Sequence, residues 1–182
     1  MLCIDKRQMS AEKVQVVRMG QVVDYEGSSC SISTAANGRK YINYGGCRFK
    51  FIIRDLPALY GVAKHSKFTP KLSLIVRDPE MIATLSSLSE RVKAEFKADA
   101  TKVFKPFLIG DKKTGCMKLV LKINEESKCK DGAAIQGNVM PDDVCSVIFT
   151  TSVYEYGAYR GFSHKLEVVK VVPCQDATEH VL

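Results

Sequence analysis

The chain has 182 residues, 46% apolar and 26% charged, which suits one folded domain with a sizeable core and excludes wholesale disorder. Its formal charge is +7 and its pI about 9.0, so a polyanion is a natural partner. No run approaches the ~20 apolar residues of a membrane-spanning helix, and the opening Met1-Leu2-Cys3-Ile4-Asp5-Lys6-Arg7 lacks the apolar core of a secretory signal. No membrane role and an intracellular compartment are therefore expected.

Val14 to Val23 and Ser29 to Thr34 read as opening strands joined at Glu26-Gly27-Ser28. Asn37-Gly38 and Gly45-Gly46 are turn dipeptides on either side of a short strand, Tyr41 to Tyr44. Arg48 to Arg54 alternates with period two. Phe49, Phe51 and Ile53 share one face and Arg48, Lys50 and Arg54 the other, the pattern of a half-buried antiparallel strand. Asp55-Leu56-Pro57 is expected to end it, and Tyr60 to Pro70 to follow as a loop. Leu72, Leu74 and Val76 mark the next strand.

One helix is well signalled. Asp78 is placed to cap it, Pro79 takes the first helical position, and Glu80 suits the positive end of the dipole. Met81, Leu85, Leu88, Val92 and Phe96 form one packing stripe, with an end expected near Ala98. Phe107 to Ile109 opens a hairpin that turns at Gly110 to Gly115 and returns from Met117 to Ile123. A long polar loop, Asn124 to Asp143, precedes a closing hairpin over Val147 to Val172. The tip of that hairpin carries Tyr154, Tyr156, Tyr159, Arg160 and Phe162. This mainly β layout with one inserted helix and a long C-terminal hairpin predicts an OB-like antiparallel β-barrel, although strand count alone does not separate a barrel from a sandwich. Residues 1–172 are read as one OB-like domain and 173–182 as a short, mildly acidic tail.

No catalytic centre emerges. Gly110-Asp-Lys-Lys-Thr-Gly115 opens a strand rather than a helix and lacks the spacing of a phosphate loop. His65, His164 and His180 have no neighbouring nucleophile with an oriented acid, and His164 sits in register with Phe162 and Leu166, as a core histidine would. The seven cysteines are scattered without a Cys-x-x-Cys pair, so reduced thiols are expected rather than zinc or any other cofactor. Cys30 and Cys47 lie near cations that could depress a thiol pKa. Carboxylates are sparse, and an enzyme is not expected.

What remains is a binding face. From Arg39 to Arg77 nine basic residues accompany one acid, Asp55. Single-stranded nucleic acid needs cations along its backbone and flat rings for its bases. Arg39, Lys40, Tyr41, Tyr44, Arg48, Lys50 and Arg54 supply both; Lys64, Lys67, Phe68 and Lys71 repeat the mixture, as do Tyr154, Tyr156, Tyr159 and Arg160. Tyrosine is also a favoured packing residue in strands, so each ring has a structural alternative.

The segments "CRFKFIIRDLPALYGV", "PKLSLIVRD", "PEMIATLSSLSERVKAEF", "KPFLIGDKKTGCMKLVLKI" and "SVIFTTSVYEYGAYRGFSHKLEVVKVV", from Tyr41 to Val172, are laid out in an order that resembles the OB-fold single-stranded DNA-binding proteins of tailed phages and large DNA viruses. The resemblance implies a protein that coats single strands exposed during viral DNA replication or recombination, at the sites of that replication. It also implies replication proteins as partners of a strongly acidic tail with a terminal aromatic. Here the tail has only Asp176 and Glu179 and ends in Leu182, a departure from that pattern. An RNA-binding OB module and a β-rich viral structural or interaction protein remain the alternatives, and a homodimer is left open.

Overall fold

The computed structural model describes residues 13–65 and 67–174. Asp176 and Glu179 of the tail, with Cys3 and His180, lie outside them. Strands β1 (Gln15–Arg18) and β2 (Gln21–Asp24) form a hairpin where one strand was expected, because Met19 and Gly20 take left-handed φ of 49° and 77° and reverse the chain. After a 3-10 turn at Gly27–Ser29, β3 (Cys30–Thr34) and β4 (Lys40–Tyr44) pair as a separate two-stranded sheet. The chain continues through β5 (Lys50–Pro57), β6 (Lys71–Val76), helix α1 (Pro79–Ala94), β7 (Val103–Lys105), β8 (Ile109–Gly110), β9 (Met117–Lys122) and β10 (Lys128–Cys129). The hairpin of β11 (Val144–Tyr156) and β12 (Tyr159–Val172) closes it.

The main sheet runs β2-β1-β5-β11-β12-β9-β6. From β6 the curved sheet returns to the end of β5 through a single bridge, Ala58 to Leu74, and the Leu59 amide donating to the Ser73 carbonyl at 2.9 Å. The result is the expected OB-like β fold, partly open between β6 and β5. It is mixed rather than purely antiparallel, since β7, β9 and β10 all pair in parallel with β12.

Local chemistry explains these elements. In β5, Phe51 and Ile53 are fully buried while Lys50 and Arg54 are exposed, as period two requires. Asp55 does not end the strand; at a φ of 59° it forms an irregularity that brings Leu56 back into the core. The Asp78 carboxylate accepts the Glu80 amide to cap α1, and Met81, Leu85, Leu88 and Val92 are buried against the sheet. The helix ends at Ala94, earlier than expected, with Glu95 as its C-cap.

The core is aromatic at its centre. Phe51 stacks on Phe149 at 5.5 Å and meets Phe107 edge-on at 5.2 Å. His164 is buried beside them, as expected, its Nε2 2.9 Å from the Phe107 carbonyl and its Nδ1 2.8 Å from the Thr151 hydroxyl. The carbonyl can only accept, so Nε2 carries the proton and Nδ1 accepts from Thr151. Burial pushes the pKa of His164 down to about 4, so the ring is neutral. Cys30 and Cys145 are buried free thiols. Burial raises both, Cys145 to about 12, so the depressed pKa considered for Cys30 is corrected to a raised one. The Gly110 to Gly115 turn is organised from within. Asp111 accepts from the Thr114 amide and hydroxyl at 2.9 and 2.8 Å and pairs with Lys118 at 3.1 Å.

Candidate nucleic-acid interface

The β3–β4 hairpin packs beside β11 without joining its ladder, and a trough runs between them. Two adjoining depressions make up this trough, one of about 600 Å3 and one of about 970 Å3, and both are walled by Arg39, Lys40, Ser152 and Val153.

Of β4, Lys40, Tyr41, Ile42 and Asn43 line the smaller depression, whereas Tyr44, an odd number of residues from Tyr41, turns to the core. Tyr41 is 42% exposed, with the Arg39 guanidinium 5.5 Å from its ring centroid. Gly45 then takes a φ of 55°, where a Cβ would also strike the Arg18 guanidinium. That turn leads the chain to Arg48, Phe49 and Lys50, which complete the wall. Lys50 is paired with Glu167 at 2.6 Å.

The larger depression lies between the β3–β4 loop, the segment after α1 and the tip of the β11–β12 hairpin. Phe96 is part of its lining, with the Lys40 ammonium 5.3 Å and the Arg160 guanidinium 5.0 Å from its ring. Arg160 also donates to the Lys97 carbonyl at 2.8 Å and lies 3.6 Å from Glu155, which Lys102 approaches to 2.7 Å. The Lys102 hydrogen bond, with help from Arg160, holds the Glu155 carboxyl below the usual carboxylate range. Tyr154 lines the outer side, and desolvation raises its phenol.

Of the residues expected to bind, Arg39, Lys40, Tyr41, Arg48, Lys50, Tyr154 and Arg160 line the trough. Two of the expected roles need correction. Tyr44 is only 5% exposed. Its hydroxyl accepts from the Glu26 amide and donates to the Asp24 carbonyl, and its ring packs on Tyr25 and Phe49, so no base can stack on it. Arg160 is 9% exposed and is committed to Lys97, Glu155 and Phe96, so it braces the wall rather than meeting a phosphate. Phe162, the other tip aromatic, is buried against Phe104 and Phe107.

Arg54, Lys64, Lys67, Phe68 and Lys71 do not line the trough; Arg54 is hydrogen-bonded to Gln15 and Lys71 begins β6 on another part of the barrel. Tyr156 and Tyr159 are cross-strand partners on the same face of the hairpin as Tyr154. They stand exposed beyond the trough's end, with Lys105 4.7 Å from the Tyr159 ring. Sequence reasoning passed over Met19, Lys97 and Lys102, which the trough gathers in. The run Lys97 to Lys105 holds three lysines, a signal that could have drawn attention to it. Among the described residues no group of three His, Cys, Asp or Glu is placed to hold a metal ion, and no helix is long and apolar enough to cross a membrane.

No protein-family model matches the chain, and no curated protein sequence matches it. Solved structures do. The single-stranded DNA-binding protein from bacteriophage Enc34, in a C-terminally truncated form, aligns over 82% of this chain and 96% of its own with 9% identity and a TM-score of 0.51. The same phage protein in complex with single-stranded DNA aligns over 82% and 98% with 9% identity and a TM-score of 0.48. Bacteriophage T7 gp2.5, also a single-stranded DNA-binding protein, aligns over 73% and 97% with 13% identity and a TM-score of 0.46. At such low identity the likeness is one of fold: this chain is similar in fold to the single-stranded DNA-binding protein of phage Enc34.

Proposed function

We propose that the protein is a non-enzymatic single-stranded DNA-binding protein that holds unpaired strands in the trough between the β3–β4 hairpin and β11. One observation carries this reading: cations and an exposed ring from distant parts of the chain, among them Arg39, Tyr41, Arg48, Lys97 and Tyr154, meet in one continuous depression. Arg39, Lys40, Arg48 and Lys97 have no carboxylate partner among the described residues, so they are free to neutralise phosphates. Tyr41 and Tyr154 offer faces on which any base can stack, which gives binding without strong sequence preference. Similarity in fold to a phage protein of this kind supports the assignment. We further propose that it coats strands exposed during viral DNA replication or recombination, inside the cell at the sites of replication.

The test is an anisotropy titration of labelled oligo(dT) at two salt concentrations, with duplex DNA and a matched RNA oligonucleotide as competitors. Tight binding that weakens steeply with salt and resists both competitors is the expected result. Salt-insensitive binding, or none, returns the protein to the structural or interaction class; preference for the RNA competitor returns it to the RNA-binding OB modules.

A further inference from the structure

The outer face of the barrel carries a second charged feature that the trough does not contain. Thr150, on the trough wall, is the cross-strand partner of Lys165 on β12. Lys165 is the parallel neighbour of Lys122 on β9, and Lys122 is the antiparallel partner of Lys71 on β6. Partners across a ladder point to the same face, and the residues beside these lysines (Leu72, Leu121, Ile123, His164 and Leu166) are all buried. Three ammonium groups therefore project outward in one row across three adjacent strands.

That row is unfavourable for the protein alone, since like charges directly opposite each other destabilise a sheet. Lysine is common on edge strands, where it discourages pairing, but β9 is flanked by β12 and β6 and β12 by β11 and β9. Edge protection therefore does not account for Lys122 or Lys165. Lys165 is relieved by Glu126 at 3.1 Å, whereas among the described residues neither Lys122 nor Lys71 has a carboxylate partner. At about 4.8 Å per strand, the row extends about 14 Å from Thr150 to Lys71.

We infer that Lys165, Lys122 and Lys71 form a polyanion-binding band that takes the phosphate backbone of the same single strand where it leaves the trough. The inference rests on the trough reading for its ligand. What points to this occupant is charge complementarity together with continuity, because the band begins at a residue of the trough wall. The band has no exposed ring, so it grips backbone and adds length-dependent affinity without stacking.

The test compares the parent with the Lys71→Ala/Lys122→Ala double variant on oligo(dT) of about 8 nucleotides, which fits the usual site of one OB fold, and of about 30, which extends well beyond it. Circular dichroism and thermal melting check that the variant folds, and Lys71→Arg/Lys122→Arg keeps the charge. The double alanine variant is expected to bind the short oligonucleotide like the parent and the long one several-fold more weakly. Its salt slope on the long one should be shallower by about 1.4, with the arginine variant restored. Equal binding of both lengths by parent and alanine variant overturns the band, as does equal weakening on both. If the parent binds neither length, the trough reading falls and the band, which rests on it, falls with it, an outcome distinct from loss of the band alone.

Discussion

Replacing Arg48 by Ala should change how binding responds to salt in a calculable way. Four trough cations lack a carboxylate partner among the described residues: Arg39, Lys40, Arg48 and Lys97. Each phosphate neutralised on a single strand contributes about 0.7 to the slope of log affinity against log salt, so four give about −2.8. Over a tenfold rise in salt the parent should lose about 600-fold in affinity, Arg48→Ala about 130-fold, and Arg48→Ala/Lys97→Ala only about 25-fold. Arg54→Ala is the control. It removes the same net charge, but its guanidinium is hydrogen-bonded to Gln15 and lines neither depression, so its slope should equal the parent's. Anisotropy of a labelled oligo(dT) of about 8 nucleotides, short enough to occupy one OB-fold site, reads these slopes. If Arg54→Ala flattens the slope as much as Arg48→Ala, the effect comes from overall charge, and the assignment of phosphate contacts to the trough is wrong.

Tyr41→Ala should weaken binding by about 1–3 kcal/mol at every salt concentration without changing the slope; a loss that disappears at high salt would mean the ring does not stack. Tyr44→Phe should instead cost about 1–3 kcal/mol of stability in urea unfolding, because the Glu26 amide and the Asp24 carbonyl lose their partner, and the salt slope should stay unchanged. His164 is held neutral in the folded protein, with its pKa pushed down to about 4, and regains its ordinary value when unfolded. The unfolded chain therefore takes up a proton first. Stability is full above about pH 6.5 and is lost as pH falls towards 4, by about 2 kcal/mol at pH 5; His164→Gln should be less stable at pH 7 but should lack this share of the slope. Gly161, at a φ of 137°, would place a Cβ against the Lys105 backbone. Gly161→Ala should lower the melting temperature and speed amide exchange over Val103 to Lys105 as β7 is pushed away from β12.

The parts of the fold that were legible in the sequence rest on local chemistry. Period two in Arg48 to Arg54 placed Phe51 and Ile53 inside and the cations outside, and Asp78-Pro79 fixed the start of α1. The missed elements depend on partners far away in sequence. Strand β7 exists because it pairs in parallel with the tip of β12, and that docking sets Lys102 in the trough wall. The errors among the site residues were errors of parity. Tyr41 and Tyr44 are an odd number apart on one strand and so point to opposite faces, which allows only one of them to meet a ligand. Arg160 is adjacent to Tyr159 and pairs with Glu155 on the opposite face from Tyr154 and Tyr156. The convergence of the β3–β4 loop, the segment after α1 and β11 into one trough is a tertiary fact that no single stretch of sequence carries.

Photocrosslinking addresses the location of the bound strand most directly. Oligo(dT) substituted with iodouracil, bound to the full chain and irradiated, should leave adducts on Tyr41 and Tyr154, mapped by mass spectrometry of the peptides. Adducts confined to Phe68, or to peptides outside the β3–β4 hairpin and β11, would show that single strands lie elsewhere on the barrel.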